Sequence, residues 1–98
     1  MDSQRMREDA RRYAQSTIRL LQAVPQQRPD SVAQRDTTRN IEVIQSCLEH
    51  LLPGPRDPLG VILEQALLAA RNSQLGLALA YMERARDLLA QSDPSAAG

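Results

Sequence analysis

Two side chains in this 98-residue sequence belong to the types that do nucleophilic or acid–base work near neutral pH. They are Cys47 and His50, one of each in the whole chain. Three residues apart on a helix, they can come near each other, which is the first requirement of a thiolate–imidazole pair. The other requirements are not met. No third residue is spaced to orient the imidazole, and nothing supplies an oxyanion site. A single His with Glu49 beside it does not make a zinc site, and one Cys excludes both an internal disulfide and a multi-cysteine metal site. The four glycines, at 54, 60, 76 and 98, are too scattered for a phosphate-cradling loop. Cys47 therefore reads as a small hydrophobe at the flank of an apolar stripe, and His50 as an exposed residue pointing away from it. The expectation is a non-enzymatic protein with no cofactor and no metal.

The run His50-Leu51-Leu52-Pro53-Gly54 resembles the phosphoacceptor motif of histidine phosphotransfer domains. Those are helical bundles of similar size, in which an exposed His is followed by any residue, Leu, Lys and Gly within a continuing helix. The resemblance covers five residues. Pro53 stands where that family has the Lys that helps hold the phosphate, and Pro53-Gly54-Pro55 ends the helix.

The charged residues are the next chemistry on offer. All twelve basic residues are Arg, balanced by twelve acids, so the net charge is zero. The exclusive use of Arg suggests a GC-rich, bacterial genome. The charge is unevenly spread: residues 1–39 carry eight Arg and five acids, and residues 40–98 carry four Arg and seven acids. Arg5, Arg12 and Arg19 repeat every seven residues along one side of the first helical segment, a candidate face for an anion or a partner. Glu8 and Asp9 partly neutralise it. Net neutrality and a chain with only two aromatics, Tyr13 and Tyr81, argue against nucleic acid, which is kept as the alternative partner. The same charge polarity can guide self-association, basic end to acidic end.

Helices must position these residues, because no stretch of useful length alternates with period two and β-branched residues are scattered. Pro25, Pro29, Pro53-Gly54-Pro55 and Pro94 divide the chain into segments. The first, about 3–24, has Ser3 as N-cap and a stripe of Met6, Ala10, Tyr13, Thr17, Leu21 and Val24, widened by Ala14 and Leu20. The second, about 30–52, is capped by Asp30 or Ser31. It is clear only in its later half, where Ile41, Ile44, Leu48, Leu51 and Leu52 share a face; the polar stretch from Gln34 to Asn40, with Thr37 on the stripe side, is expected to fray or start late. The third, about 58–71, is capped by Asp57 with Pro58 at its first position, and its stripe is Leu59, Ile62, Leu63, Ala66, Leu67 and Ala70. Asn72 is expected in the left-handed conformation, with Ser73 capping a fourth helix at about 74–91. The alternative is one long helix from 58 to 91.

The fold class is therefore all-α, a small antiparallel bundle of three to four helices. One domain spans 1–92, followed by a flexible tail at 93–98. No apolar run approaches the roughly 18–20 residues of a membrane span. No basic-then-apolar leader is seen, and the expected compartment is the cytoplasm. The last hairpin, with Ile62, Ala66, Ala78, Met82 and Ala85, resembles a tetratricopeptide repeat over about thirty residues. No second copy is present, and one repeat cannot form a solenoid.

The last helix carries the widest apolar surface. Leu75, Ala78, Leu79, Met82, Ala85 and Leu89 form one stripe, and Leu77, Tyr81 and Leu88 extend it to an arc of roughly 200°, against the ~100° a surface helix needs. Either the helix packs on two neighbours or one side meets another chain. Leu77, Tyr81 and Leu88 are the candidate protein interface, with another protein or a second copy as partner. A small adaptor, chaperone or regulator, self-associating as a homodimer, is the expected function.

Overall fold

The computed structural model describes residues 3–24, 31–49, 51 and 57–91, and these form four α-helices with no strand among them. They are α1 (Ser3–Ala23), α2 (Ser31–Leu48), α3 (Pro58–Arg71) and α4 (Leu75–Gln91). Each helix packs against two others: α1 on α2 and α4, and α3 on α2 and α4. That is a closed square of neighbours, and the two shorter dimensions, 23 and 20 Å, are each about two helix diameters. The expected all-α bundle is the fold, with the last two helices separate. The expected tail at 93–98 lies outside the described residues.

The α3–α4 turn shows why the chain breaks there. Three residues, 72–74, reverse it through a Schellman closure: the Gln74 N–H donates to the Ala69 carbonyl at 2.8 Å and the Ser73 N–H to the Ala70 carbonyl at 3.1 Å. The left-handed residue is Ser73, with φ 61°, not Asn72, whose φ is −92°. Counting back from the 6→1 bond places Ser73 at the position where helices usually put glycine. Ser73 is thus spent on ending α3 and does not cap α4; the Gln74 carbonyl accepts the first α4 bond, from the Ala78 N–H. At the other end of α3 the expected cap holds. Asp57 Oδ1 accepts from the Leu59 N–H at 2.9 Å, with Pro58 following.

The polar half of α2 does not fray. It is helical from Ser31, because Ala33 and Thr37 are buried and Gln34 Nε2 donates to the Arg71 carbonyl at 2.9 Å, fastening α2 to the end of α3. The other end of α2 is shorter than its apolar pattern suggests. It stops at Leu48 instead of 52, where the Glu49 and Leu51 N–H groups turn back onto the Ser46 and Leu48 carbonyls three residues earlier. Pro53 disfavours helical backbone in the residue before it, so the winding ends first. Leu51 is half-buried on the core, and Leu52 and His50 lie outside the described residues. In α1, Ser3 is already helical and so is not the cap before the helix.

The buried side of α1 is also rotated from the expected stripe. Ala10, Ala14, Thr17, Ile18 and Leu21 are buried, whereas Tyr13 is 41% exposed and Met6, Leu20 and Val24 are at the margins. Bringing the branched Ile18 inside turns the helix by about half of one 100° residue step. It leaves Tyr13 at the surface. Similarly, α3 buries Ala69 and leaves Ile62 half-buried.

Among the described residues, alanines supply eight of the eighteen buried apolar residues; the fully buried large ones are Ile18, Ile41, Ile44, Leu48, Leu63 and Met82. Two threonines, Thr17 and Thr37, are buried among them. Thr17 Oγ1 donates to the Tyr13 carbonyl at 2.6 Å, but Thr37 Oγ1 has no partner. An unpaired buried hydroxyl costs about 1–3 kcal/mol. Thr37→Val keeps the branched shape and removes that cost, so it is expected to raise stability by about 1–2 kcal/mol, or several degrees of Tm. Thr17→Val, which removes a satisfied hydroxyl, is expected to give no such gain. Thermal denaturation of both variants checks this. Ser73→Gly relieves a left-handed serine and is expected to stabilise by about 0.5–1 kcal/mol, whereas Ser73→Val should destabilise by more than that. Urea titration of the pair reads the sign of each change.

Candidate functional site

The thiol comes first. Cys47 sits near the end of α2, half-buried and packed against the core. Burial pushes its pKa above the usual thiol range, and the negative charge of Asp9 on α1 pushes it the same way. A nucleophilic cysteine needs the opposite shift, from a cation, a helix N-terminus or an imidazolium. The environment of Cys47 is that of a packing residue. Among the described residues, no three His, Cys, Asp or Glu side chains cluster to hold a metal ion. No helix there is long and apolar enough to cross a membrane.

The arginine row of α1 is on the surface. Arg5, Arg12 and Arg19 are all exposed and share one side of the helix, as their spacing of seven requires. Arg12 lines a groove between α1 and α4. There Glu8 and Asp87 stand against Arg11, Arg12 and Arg86, and Arg86 Nε lies 3.4 Å from Asp87 Oδ1. In this groove carboxylates offset part of the positive charge of α1. A second groove, of about 450 Å³, runs between α2 and α3 and is lined by Arg35, Arg39 and Arg71 with a single acid, Glu42. Neither this cluster nor its membership is visible in the sequence, because only the fold brings Arg71 at the end of α3 beside Arg35 and Arg39 at the start of α2.

The wide apolar arc of α4 divides in two. The groove with α1 is lined by Arg86, Asp87 and Ala90, so the flank carrying Leu75 and Leu79 turns toward α1. The opposite flank, with Leu77, Tyr81 and Leu88, turns toward α3. Tyr81 and Leu88 are half-buried and pack on the core, while Leu77 is 46% exposed. The structure therefore does not present the three candidates as one open surface. It adds two residues that sequence reading left out: Val61 and Leu68 of α3 are 43% and 47% exposed. They are seven apart, so they share one side of α3, opposite its buried stripe. The signal was available as two apolar residues on the polar side of a helix. Across the 72–74 turn, Leu68 and Leu77 stand on adjoining turns near the tip of the hairpin, with Tyr81 farther down and Val61 and Leu88 toward its base.

Compared with protein-family models, with curated proteins and with solved structures, the chain matches none.

The raised thiol pKa has a measurable consequence. In the unfolded chain the thiol ionises in its ordinary range, while in the folded chain it holds its proton to higher pH. The stability contributed by this group is present below that range and falls as pH rises through it. Alkylation by iodoacetamide at pH 8.5 is expected to be slower for native Cys47 than for the urea-unfolded chain, with the native rate rising only at higher pH. A native rate equal to or above the unfolded one would show an activated thiol.

Proposed function

We propose that this protein is a small, non-enzymatic protein–protein interaction module that self-associates through the outer face of its α3–α4 hairpin. The observation that carries the reading is the exposure of three large apolar side chains there, Val61, Leu68 and Leu77, each between 43% and 47% open. Single exposed leucines are ordinary, but three large apolar side chains are exposed on one hairpin that also carries half-buried Tyr81 and Leu88. Apolar anchors of this kind supply the affinity in helix-on-helix docking.

A second copy fits this face. Its exposed charged residues include one of each sign, Glu64 on α3 and Arg84 on α4, so two copies meet without a build-up of like charge. The α1 surface, with Arg5, Arg12 and Arg19, would repel its own copy. At 1.5 Å per residue the 14-residue α3 gives a face roughly 20 Å long and two helices wide, on the order of 400 Å² in projection. Two such faces come to about 800 Å² in total, below the roughly 1,200 Å² of stable interfaces, so the dimer belongs to the weak, reversible class that dissociates on dilution.

Light scattering on a sizing column, run as a concentration series, tests this. The expected result is twice the 10.9 kDa chain mass at high concentration, falling toward the monomer on dilution. Leu68→Asp with Leu77→Asp should give a monomer at all concentrations with helical circular dichroism unchanged, because both side chains are at the surface. Tyr81 and Leu88 are poor probes, since they also pack on the core. A wild-type monomer at every concentration would overturn self-association.

A further inference from the structure

We infer that the groove between α2 and α3 binds the carboxylates of an acidic protein segment. The inference rests on charge and geometry and does not depend on the hairpin face. Three guanidinium groups line this groove against one carboxylate. Arg35 and Arg39 are one helical turn apart on α2, so their side chains leave the same side about 6 Å apart. Arg71 enters from the last turn of α3, where Gln34 fixes its backbone by donating to its carbonyl at 2.9 Å.

Among the described residues, two of the three cations are loosely paired within the chain and one is not. Arg39 makes no ion pair or side-chain hydrogen bond among the described residues. The pair formed by Arg35 is a 3.9 Å approach to Asp36 Oδ1, beyond hydrogen-bonding distance. Arg71 Nη2 approaches Glu42 Oε1 at the same 3.9 Å, with both side chains more than half exposed. Two neutral polar groups of the lining have partners: Thr38 Oγ1 donates to the Gln34 carbonyl at 2.8 Å, and Gln34 donates to Arg71; Ser31 also lines the groove. The charged donors offered to a ligand are forked N–H groups, which match planar carboxylates. The α1–α4 groove is the control within the same molecule, since there Glu8 and Asp87 oppose its arginines.

The shape favours a protein segment. The groove is open along one side, whereas sites for small ligands enclose most of the ligand surface. It has no aromatic lining on which bases could stack. Arg35 and Arg39 have the spacing of two acidic side chains four residues apart on a partner helix.

The test is fluorescence anisotropy with a labelled helical peptide carrying Glu at every fourth position, titrated with the full chain at about 50 mM salt. Binding that weakens as salt rises is expected. Arg35→Gln with Arg39→Gln should weaken it by about tenfold or more, taking each charge-assisted contact as worth a few-fold. Arg12→Gln with Arg19→Gln, on the other side of the bundle, should change it by less than about twofold. Gln retains good helix propensity, and circular dichroism confirms that both variants fold. Absence of binding at low salt would overturn the inference. Equal losses in the two double variants would also do so, by showing attraction to arginine in general. So would a single-stranded oligonucleotide that binds more tightly than the peptide and displaces it.

Discussion

Close approach between helices is the constraint on which the rest of this bundle depends. The core contains no Phe or Trp, and eight of its buried apolar residues are alanines. An alanine buries little area, so the helices must come close for the fewer large residues to touch: Ile18 on α1, Ile41, Ile44 and Leu48 on α2, Leu63 on α3 and Met82 on α4. Small residues on α1, α3 and α4 permit that approach. The square arrangement follows, because each helix then has two flanks to cover and two neighbours to cover them. The breadth of the α4 arc is mostly this requirement. Leu75 and Leu79 serve one flank and Tyr81 and Leu88 the other.

The same constraint explains which parts of the fold were legible in the sequence. Helix positions were, because Pro, Gly and the Asp57-Pro58 pair punctuate the chain and act locally. The direction each helix faces was less so. On α1 the choice between a stripe through Tyr13 and one through Ile18 depends on which neighbours lie on either side, and periodicity fits both. The early half of α2 looked too polar to hold, yet Gln34 is fastened to the end of α3, thirty-seven residues away. No local pattern carries a contact of that kind. Ser73 is a similar case: Asn is the better left-handed former, but the closing hydrogen bonds fix the position one residue later.

For the candidate sites the split is sharper. The packing role expected of Cys47 agrees with its half-buried position against the core and with a thiol pKa raised by burial and by the charge of Asp9. The interaction faces were half readable. Leu77 was found through its own helix, but Val61 and Leu68 gain meaning only when α3 is laid beside α4. Likewise Arg71 joins Arg35 and Arg39 only through the fold. Surfaces made by two helices are not written along either one. The two faces differ in character, one apolar and nearly neutral, the other basic and open. On the readings proposed above, the first face would meet a second copy and the second an acidic partner.

The proposal to be tested is that the outer face of α3–α4, where three of the five exposed large apolar side chains among the described residues lie, is the docking surface; Tyr13 and Val32 are exposed elsewhere. The most direct measurement is the amide nuclear magnetic resonance spectrum of the isotope-labelled chain, recorded across a dilution series. Shift changes confined to the surroundings of Val61, Leu68, Leu77, Tyr81 and Leu88 are the predicted result. Changes centred on Arg5, Arg12 and Arg19, or a spectrum independent of concentration, would contradict it.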